Sequence, residues 1–426
     1  MLQLIQNEKI RETKDGKRVI VKKPELLAPA GSLEKLKIAV HYGADAVFIG
    51  GQEFGLRSNA DNFTIEEMRE GVEFAKKYGA VVYVTTNIFV YFLNMTGLEE
   101  YLQAIEGAGV KGIIVADPLI IETCRRVAPK LEIHLSTQQS LSNWKAVKYW
   151  KEEGLHRVVL AREVGAEEMQ KMKEEVDIEI EAFVHGAMCI AYSGRCVLSN
   201  HMTARDSNRG GCCQSCRWDY DLYENKDGEE VPLFEEGDAP FAMSPKDLKL
   251  IESIPHMIEL GIDSLKVEGR MKSIHYVATV ISVYRKVIDA YCADPDNFQI
   301  KKQWLEELSR CAIRATASAF FESEPSYKQQ MFGFHASKPK WDFAGLVLDY
   351  DAETQMVTME QRNYFKPGDT VEFFGPDIET FQMTVGELWD EEGNELDVAR
   401  HPLQILKFKV DRPLYQYNMM RKENKK

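Results

Sequence analysis

An α/β fold is predicted: a distorted (β/α)8 barrel of the TIM type carrying a cysteine-rich insertion, followed by a small C-terminal antiparallel β-barrel. Three observations predict it. Eight short apolar runs alternate with segments of helical period, the pattern of a parallel sheet with crossover helices. Five of the eight cysteines fall in one stretch between the seventh and eighth runs. Beyond residue 340 the period changes from helical to alternating.

Residues 1–22 are polar and read as an arm or short strand. The apolar runs are Leu26–Ala30, Ala46–Gly50, Val81–Thr86, Gly112–Ala116, Ile133–Ser136, Val158–Ala161, Ile178–Val184 and Ser264–Val267. Helix starts are signalled by Ser32, by Thr64 with Glu67 as a capping box, and by Ser244-Pro245 with Asp247. Gly43 and Gly79 close two helices. The barrel then spans 23–321, its insertion 186–243, with helical segments over 272–318 closing it. Residues 322–340, bearing Pro, Ser and Lys, read as a linker. The runs AGLVLDYD, QMVTME, DTVEFFG, FQMTVGEL and LQILKFKV make 341–416 the β-barrel, and 417–426 a basic tail expected to be solvated. A doubly wound open sheet is the structural alternative, but no G-x-G-x-x-G follows the first run. Gly31 and the Gly50-Gly51 pair read as tight turns rather than phosphate loops.

Composition narrows the function. At 44% hydrophobic and 28% charged, the 426 residues are those of an ordinary globular protein. A net charge of -14 argues against coating nucleic acid indiscriminately, while leaving room for a local basic face. No apolar run reaches the length of a membrane span. The N-terminal MLQLIQNEKIRETKDGKR has no apolar h-region, so a cytoplasmic location is expected.

The stretch Glu181–Trp218 gathers Cys189, Cys196, Cys212, Cys213 and Cys216, whereas Cys124, Cys292 and Cys311 stand alone. Clustered cysteines outside an oxidising compartment read as metal-binding or redox-active. Adjacent Cys212 and Cys213 cannot both point easily at one centre, so a four-ligand set takes one of them. The wide Cys189–Cys196 spacing favours a [4Fe–4S] cluster over zinc, which prefers two close pairs; buried thiols without metal are the least favoured alternative, because isolated core cysteines do not usually bunch beside Gly-Gly and four arginines.

Chemistry in a barrel sits where the strands end. Those ends carry Asn87, Asp117, Thr137, Gln138, Arg162, Glu163, His185, Glu268 and Arg270, with Arg57 and Asn59 in the loop after the second run. Three arginines at one mouth, Arg57, Arg162 and Arg270, suit a substrate bearing carboxylates or phosphates. In the insertion Arg195, Arg205, Arg209 and Arg217 interleave with Tyr192, His201 and Trp218, a pattern that binds single-stranded RNA by charge and stacking, or that pairs with the acidic surplus.

The phrases Glu181-Ala-Phe-Val-His-Gly-Ala-Met-Cys189, Tyr192-Ser-Gly-Arg-Cys196-x-Leu-Ser199, Gly-Gly-Cys-x3-Cys-Arg-Trp and Pro24-Glu-Leu-Leu-Ala-Pro-Ala-Gly31 resemble the signature of the U32 "peptidase" family. Asn363-Tyr-Phe-Lys-Pro-Gly-Asp-Thr-Val-Glu resembles the C-terminal domain of its longer members. The resemblance implies a [4Fe–4S] cluster held by Cys189, Cys196, Cys212 and Cys216. It also implies an RNA-directed hydroxylation for which prephenate is needed: relatives form 5-hydroxyuridine at the wobble position of tRNA or hydroxylate a cytidine of ribosomal RNA, and others hydroxylate ubiquinone precursors. The expectation is therefore a cluster-dependent tRNA hydroxylase. Prephenate or a similar anion would sit at Arg57, Arg162 and Arg270, with Asn87, Gln138, Arg205 and Arg209 as further substrate contacts. There is room for a second protein of the same family as partner.

The family label says peptidase, but no His-Glu-x-x-His and no Gly-x-Ser-x-Gly occurs. A metal-dependent peptidase would have to use His185, Asp117 and Glu268, which are also the candidate catalytic groups of the hydroxylase. A non-catalytic RNA-binding factor is the third reading.

Overall fold

The computed structural model describes residues 10–13, 16–56, 62–91, 95–218, 223–226, 229–232, 241–322, 329–332 and 340–424. Eight parallel strands close into a barrel: β1 (Glu25–Pro29), β2 (Ala46–Gly50), β3 (Val81–Thr86), β4 (Gly112–Val115), β5 (Glu132–Leu135), β6 (Arg157–Val159), β7 (Glu179–Gly186) and β8 (Ser264–Val267). Each pairs with the next along the chain, and β8 pairs with both β7 and β1 to complete the ring. Strands buried on both faces need continuous apolar runs, which is why all eight were legible.

Nine helices are labelled here: α1 (Leu33–His41), α2 (Ile65–Lys77), α3 (Leu98–Gly107), α4 (Pro118–Val127), α5 (Trp144–Glu152), α6 (Ala166–Glu175), α7 (Ile254–Glu259), α8 (Ile274–Ala293) and α9 (Lys302–Cys311). The expected caps form. The Ser32 hydroxyl accepts from the Lys35 amide, and Thr64 with Glu67 makes a reciprocal capping box.

The third expected helix start fails. Phe241–Pro245 and Asp247–Lys249 are strands, and helix begins again only at α7. The cause is the length of β7. Its first residues, Glu179–Glu181, pair with β6, which leaves its later backbone unpaired on that side, and Asp247–Lys249 bonds there antiparallel to His185 and Gly186. The linker also carries structure, since Gln330–Phe332 pairs antiparallel with Phe241–Pro245.

The C-terminal region contains β9 (Trp341–Asp351), β10 (Met356–Gln361), β11 (Thr370–Gly375), β12 (Ile378–Thr384), β13 (Leu388–Trp389), β14 (Glu395–Leu396), β15 (Ile405–Lys409) and β16 (Met419–Glu423). They form an antiparallel sheet in the order β12-β11-β16-β9-β10-β15-β13-β14, curled around one core that includes Val347, Phe365, Phe373, Leu406 and Phe408. The expected solvated tail instead contributes a strand: Met419–Glu423 is β16, between β9 and β11. Arg421 is fully buried, forking onto Glu307 of α9 at 2.5 and 2.9 Å and reaching Glu372 of β11 at 2.5 and 2.9 Å. Leu346, Phe374 and Met419 join the barrel's own core cluster, so the two regions share an apolar contact around that charge.

His275 of α8 lies in this contact, stacked on Phe343 with ring centroids 5.8 Å apart, and burial pushes its imidazole down to about 3. Burial likewise pushes His185 of β7 down to about 4. Both are neutral in the folded protein, while in the unfolded chain they protonate near the ordinary histidine value of about 6.5. Their contribution to stability is therefore complete above that value and is lost as pH falls from about 6.5 toward the folded values. Urea midpoints are expected to fall between pH 7 and pH 5, by less in a His275→Phe variant; an unchanged difference would count against the burial of that ring.

Candidate functional site

The loops after the barrel strands enclose a cavity of about 170 Å³ that the cysteine-rich insertion covers. Its floor is made by strand residues, Phe48, Ile114, Val159, Phe183 and Lys266; its wall includes Asn87, Gln138, Arg162, Glu268 and Arg270; its cover includes Cys189, Tyr192, Cys196, Asn208, Cys212, Cys216 and Arg217.

The insertion is pinned to the barrel by polar contacts. The Ser193 amide donates to Glu163 Oε1 at 2.9 Å, the Ser140 hydroxyl donates to the Ser193 carbonyl, and the Gln138 amide reaches Asn208 at 3.5 Å. Gly194 has φ +71°, and its Cα lies so close to the Gln138 carbonyl that any Cβ would collide with it. Gly194→Ala is expected to lift this part of the insertion. Faster proteolysis within 190–218 at unchanged barrel circular dichroism would report it, and unchanged proteolysis would contradict the close approach.

Four of the five clustered cysteines, Cys189, Cys196, Cys212 and Cys216, line this one cavity; Cys213 does not. Its amide donates to Ser199 Oγ at 3.2 Å, and its thiol sits 3.4 Å from Thr203 Oγ1 and donates to the Gly211 carbonyl at 3.3 Å. The neighbouring cysteines thus face opposite ways. All eight cysteines are free thiols. Burial pushes Cys216 up to about 11, against the pull of the adjacent Arg217 cation. Among the described residues no three His, Cys, Asp or Glu side chains stand close enough to hold a single metal ion. The four thiols that share this cavity are thus separated from the fifth by the direction of its side chain.

Beneath the thiols the cavity is cationic. The Arg162 guanidinium lies 3.9 Å from the centre of the Phe183 ring and 4.0 Å from Glu268, and its Nε is buried without a hydrogen-bond partner. Arg270 is 3% exposed and donates to Thr85 Oγ1 at 3.1 Å, the Leu56 carbonyl at 2.6 Å and Asn62 Oδ1 at 3.2 Å. Gly50 makes that position accessible, because a side chain there would occupy the guanidinium's place; this, rather than a turn, is the reason for that glycine. Lys266 rises from the barrel interior, 2.7 Å from Glu181 and 4.5 Å from the Phe48 ring centre. Burial alone would raise the Glu181 carboxyl, but Lys266 and Arg157 outweigh it and hold it below the usual carboxylate range. Sequence reading missed Lys266, whose partner Glu181 lies 85 residues away along the chain.

The other expected site residues divide. Asn87, Gln138, Arg162, Glu268 and Arg270 meet in the cavity. Arg57 and Asn59 lie outside the described residues. Arg205 and Arg209 are not part of its lining; Arg209 lies instead over the Tyr91 ring at 4.3 Å.

Two candidate catalytic groups, Asp117 and His185, lie outside the cavity lining. Asp117 is the N-cap of α4: its carboxylate accepts from the Leu119 and Val90 amides, each at 2.9 Å. His185 lies away from the cavity lining, its Nδ1 3.2 Å from the Tyr284 hydroxyl, which itself donates to the Val184 carbonyl. His185, Asp117 and Glu268 form no metal-holding group, so the peptidase alternative lacks its centre. Asp117→Ala is expected to cost about 1 kcal/mol of stability and to leave any chemistry in the cavity intact, measurable as a lowered urea midpoint at unchanged turnover.

Residues 31–331 match peptidase family U32, and residues 339–421 match the peptidase family U32 C-terminal domain. A protein of Bacillus subtilis, "tRNA hydroxylation protein P1", is 76% identical over 98% of this chain and 99% of its own length. "tRNA hydroxylation protein P" of Escherichia coli is 32% identical over 88% of this chain and 91% of its own length. A "Collagenase" of Porphyromonas gingivalis is 33% identical over 85% of this chain and 89% of its own length. No helix among the described residues is long and apolar enough to cross a membrane.

Proposed function

We propose, on the premise that the chain belongs to peptidase family U32, that it is an RNA-modifying hydroxylase, forming 5-hydroxyuridine at the wobble position of tRNA in the cytoplasm. The observation that carries the reading is the 76% identity, over 98% of the chain, to a protein named for tRNA hydroxylation. The cavity supplies its chemistry: four thiols above a buried cationic floor are suited to a metal cluster beside an anionic reactant. In this reading Cys189, Cys196, Cys212 and Cys216 hold a [4Fe–4S] cluster, which when bound supplies one-electron chemistry. Arg162, Arg270 and Lys266 bind the carboxylates of a co-substrate such as prephenate, with Phe183 and Phe48 against its apolar part. The target base must leave its stack to reach a cavity enclosed by the insertion.

The peptidase label gains no metal centre from this site, since no group of three His, Cys, Asp or Glu side chains among the described residues could hold an ion. The test is nucleoside analysis of tRNA from a strain deleted for its own enzyme and supplied with this chain. Restored 5-hydroxyuridine is expected, and its continued absence would overturn the assignment. Arg162→Ala is expected to raise the concentration of anionic co-substrate needed for half-maximal modification about tenfold or more, the loss of a charged hydrogen bond.

A further inference from the structure

Of the sixteen large hydrophobic side chains exposed among the described residues, five lie between Ile190 and Trp218, a small part of the chain. Exposed apolar side chains are thus concentrated in the insertion, the segment that covers the cavity. Two exposed aromatics stand near this cavity, one in its lining and one beside a residue that follows the lining residue Asn208. Tyr192, 68% exposed, is in the insertion and contributes to the cavity lining. Tyr91, 58% exposed, follows β3 and approaches the insertion, where the nearby Phe89 amide donates to the Asn208 carbonyl at 3.4 Å. The Arg209 guanidinium covers one face of Tyr91 at 4.3 Å, and the ring's exposure leaves the rest of its surface open. Arg195 and Arg209 are themselves exposed, on a chain whose net charge is -14.

From this arrangement we infer that Tyr91 with Arg209, and Tyr192 in the cavity lining, form a stacking clamp for the unpaired nucleotides next to the one that enters the cavity. The inference rests on the RNA-hydroxylase reading and goes beyond it. It states that the enzyme recognises a single-stranded loop through base faces and backbone charge, not a duplex. The chemistry is general: every base has a π face that stacks on an aromatic ring, an arginine lying flat on that ring adds a cation for the phosphates, and neither feature can be used by bases already stacked within a helix. Exposed arginines on an acidic molecule favour the approach of a polyanion at this face. A protein partner would need none of the exposed cations.

The experiment measures fluorescence anisotropy of a labelled RNA stem-loop, and of a fully paired RNA of the same composition, with the full-length protein purified without air. The wild type is expected to bind the stem-loop more tightly than the duplex. Tyr91→Ala and Tyr192→Ala should each weaken stem-loop binding about tenfold or more, the loss of one base stack, while Tyr91→Phe retains it, because the ring and not the hydroxyl does the stacking. Thermal midpoints establish that the variants are folded. If the wild type binds the stem-loop but both alanine variants bind it equally well, the clamp is overturned and the RNA reading stands. If the wild type binds neither RNA, both fall, and the patch is a docking face for protein.

Discussion

Cys189→Ala is expected to abolish 5-hydroxyuridine in the tRNA of a complemented deletion strain, and Cys216→Ala to do the same, whereas Cys213→Ala should leave the modification in place. The contrast follows from direction and not from sequence distance. Cys212 and Cys213 are neighbours, yet only Cys212 faces the cavity shared by Cys189, Cys196 and Cys216; the Cys213 thiol is held at Thr203 and Gly211. A thiol that faces a protein hydroxyl and a carbonyl can be replaced at the cost of a weak hydrogen bond. A thiol that closes a four-cornered site cannot, because the remaining three leave one corner open to solvent and exchange. Mass spectrometry of digested tRNA reads the outcome directly. Modification retained in Cys189→Ala would remove the cluster from the reaction, and modification lost in Cys213→Ala would reverse the assignment of the two neighbours.

Arg421→Met is expected to destabilise the protein by about 3–5 kcal/mol, the usual effect of removing one partner from a buried ion pair. The guanidinium is fully buried and holds Glu307 of the barrel's last helix and Glu372 of the C-terminal sheet at once. Without it two carboxylates are left in the contact between the two regions, with Arg310 the remaining cation beside them. Methionine keeps most of the volume, so the loss reports charge and not a cavity. Replacing all three together, Arg421→Met with Glu307→Gln and Glu372→Gln, should recover a large part of it, since an absent pair costs far less than half of one. Urea unfolding measures both. A single variant as stable as the parent would show that Arg421 is not the cation on which this contact depends.

How far the sequence could be read depended on whether a residue's role is local. The eight barrel strands were legible because burial on both faces demands an uninterrupted apolar run. The cysteines were legible because thiols are rarely gathered without a shared purpose, and the U32 phrases added which four belong together. The capping role of Asp117 was also legible: an aspartate directly before Pro118 is a helix N-cap with proline at the first position. Ser244-Pro245 gave the same signal and misled, because the free edge of β7 captured the backbone that follows. Lys266 and Arg421 were out of reach for a different reason. Their partners, Glu181 and the Glu307–Glu372 pair, lie far away in sequence. Nothing local distinguishes a lysine inside a barrel from one at its edge, or a buried arginine from a solvated basic tail.

The most direct test of the central claim is the visible spectrum, with iron and sulfide analysis, of the full-length protein purified without air. A broad brown absorbance with about four irons and four sulfides per chain, lost in Cys216→Ala and kept in Cys213→Ala, is the predicted result. A colourless protein that carries zinc on the same cysteines would contradict it.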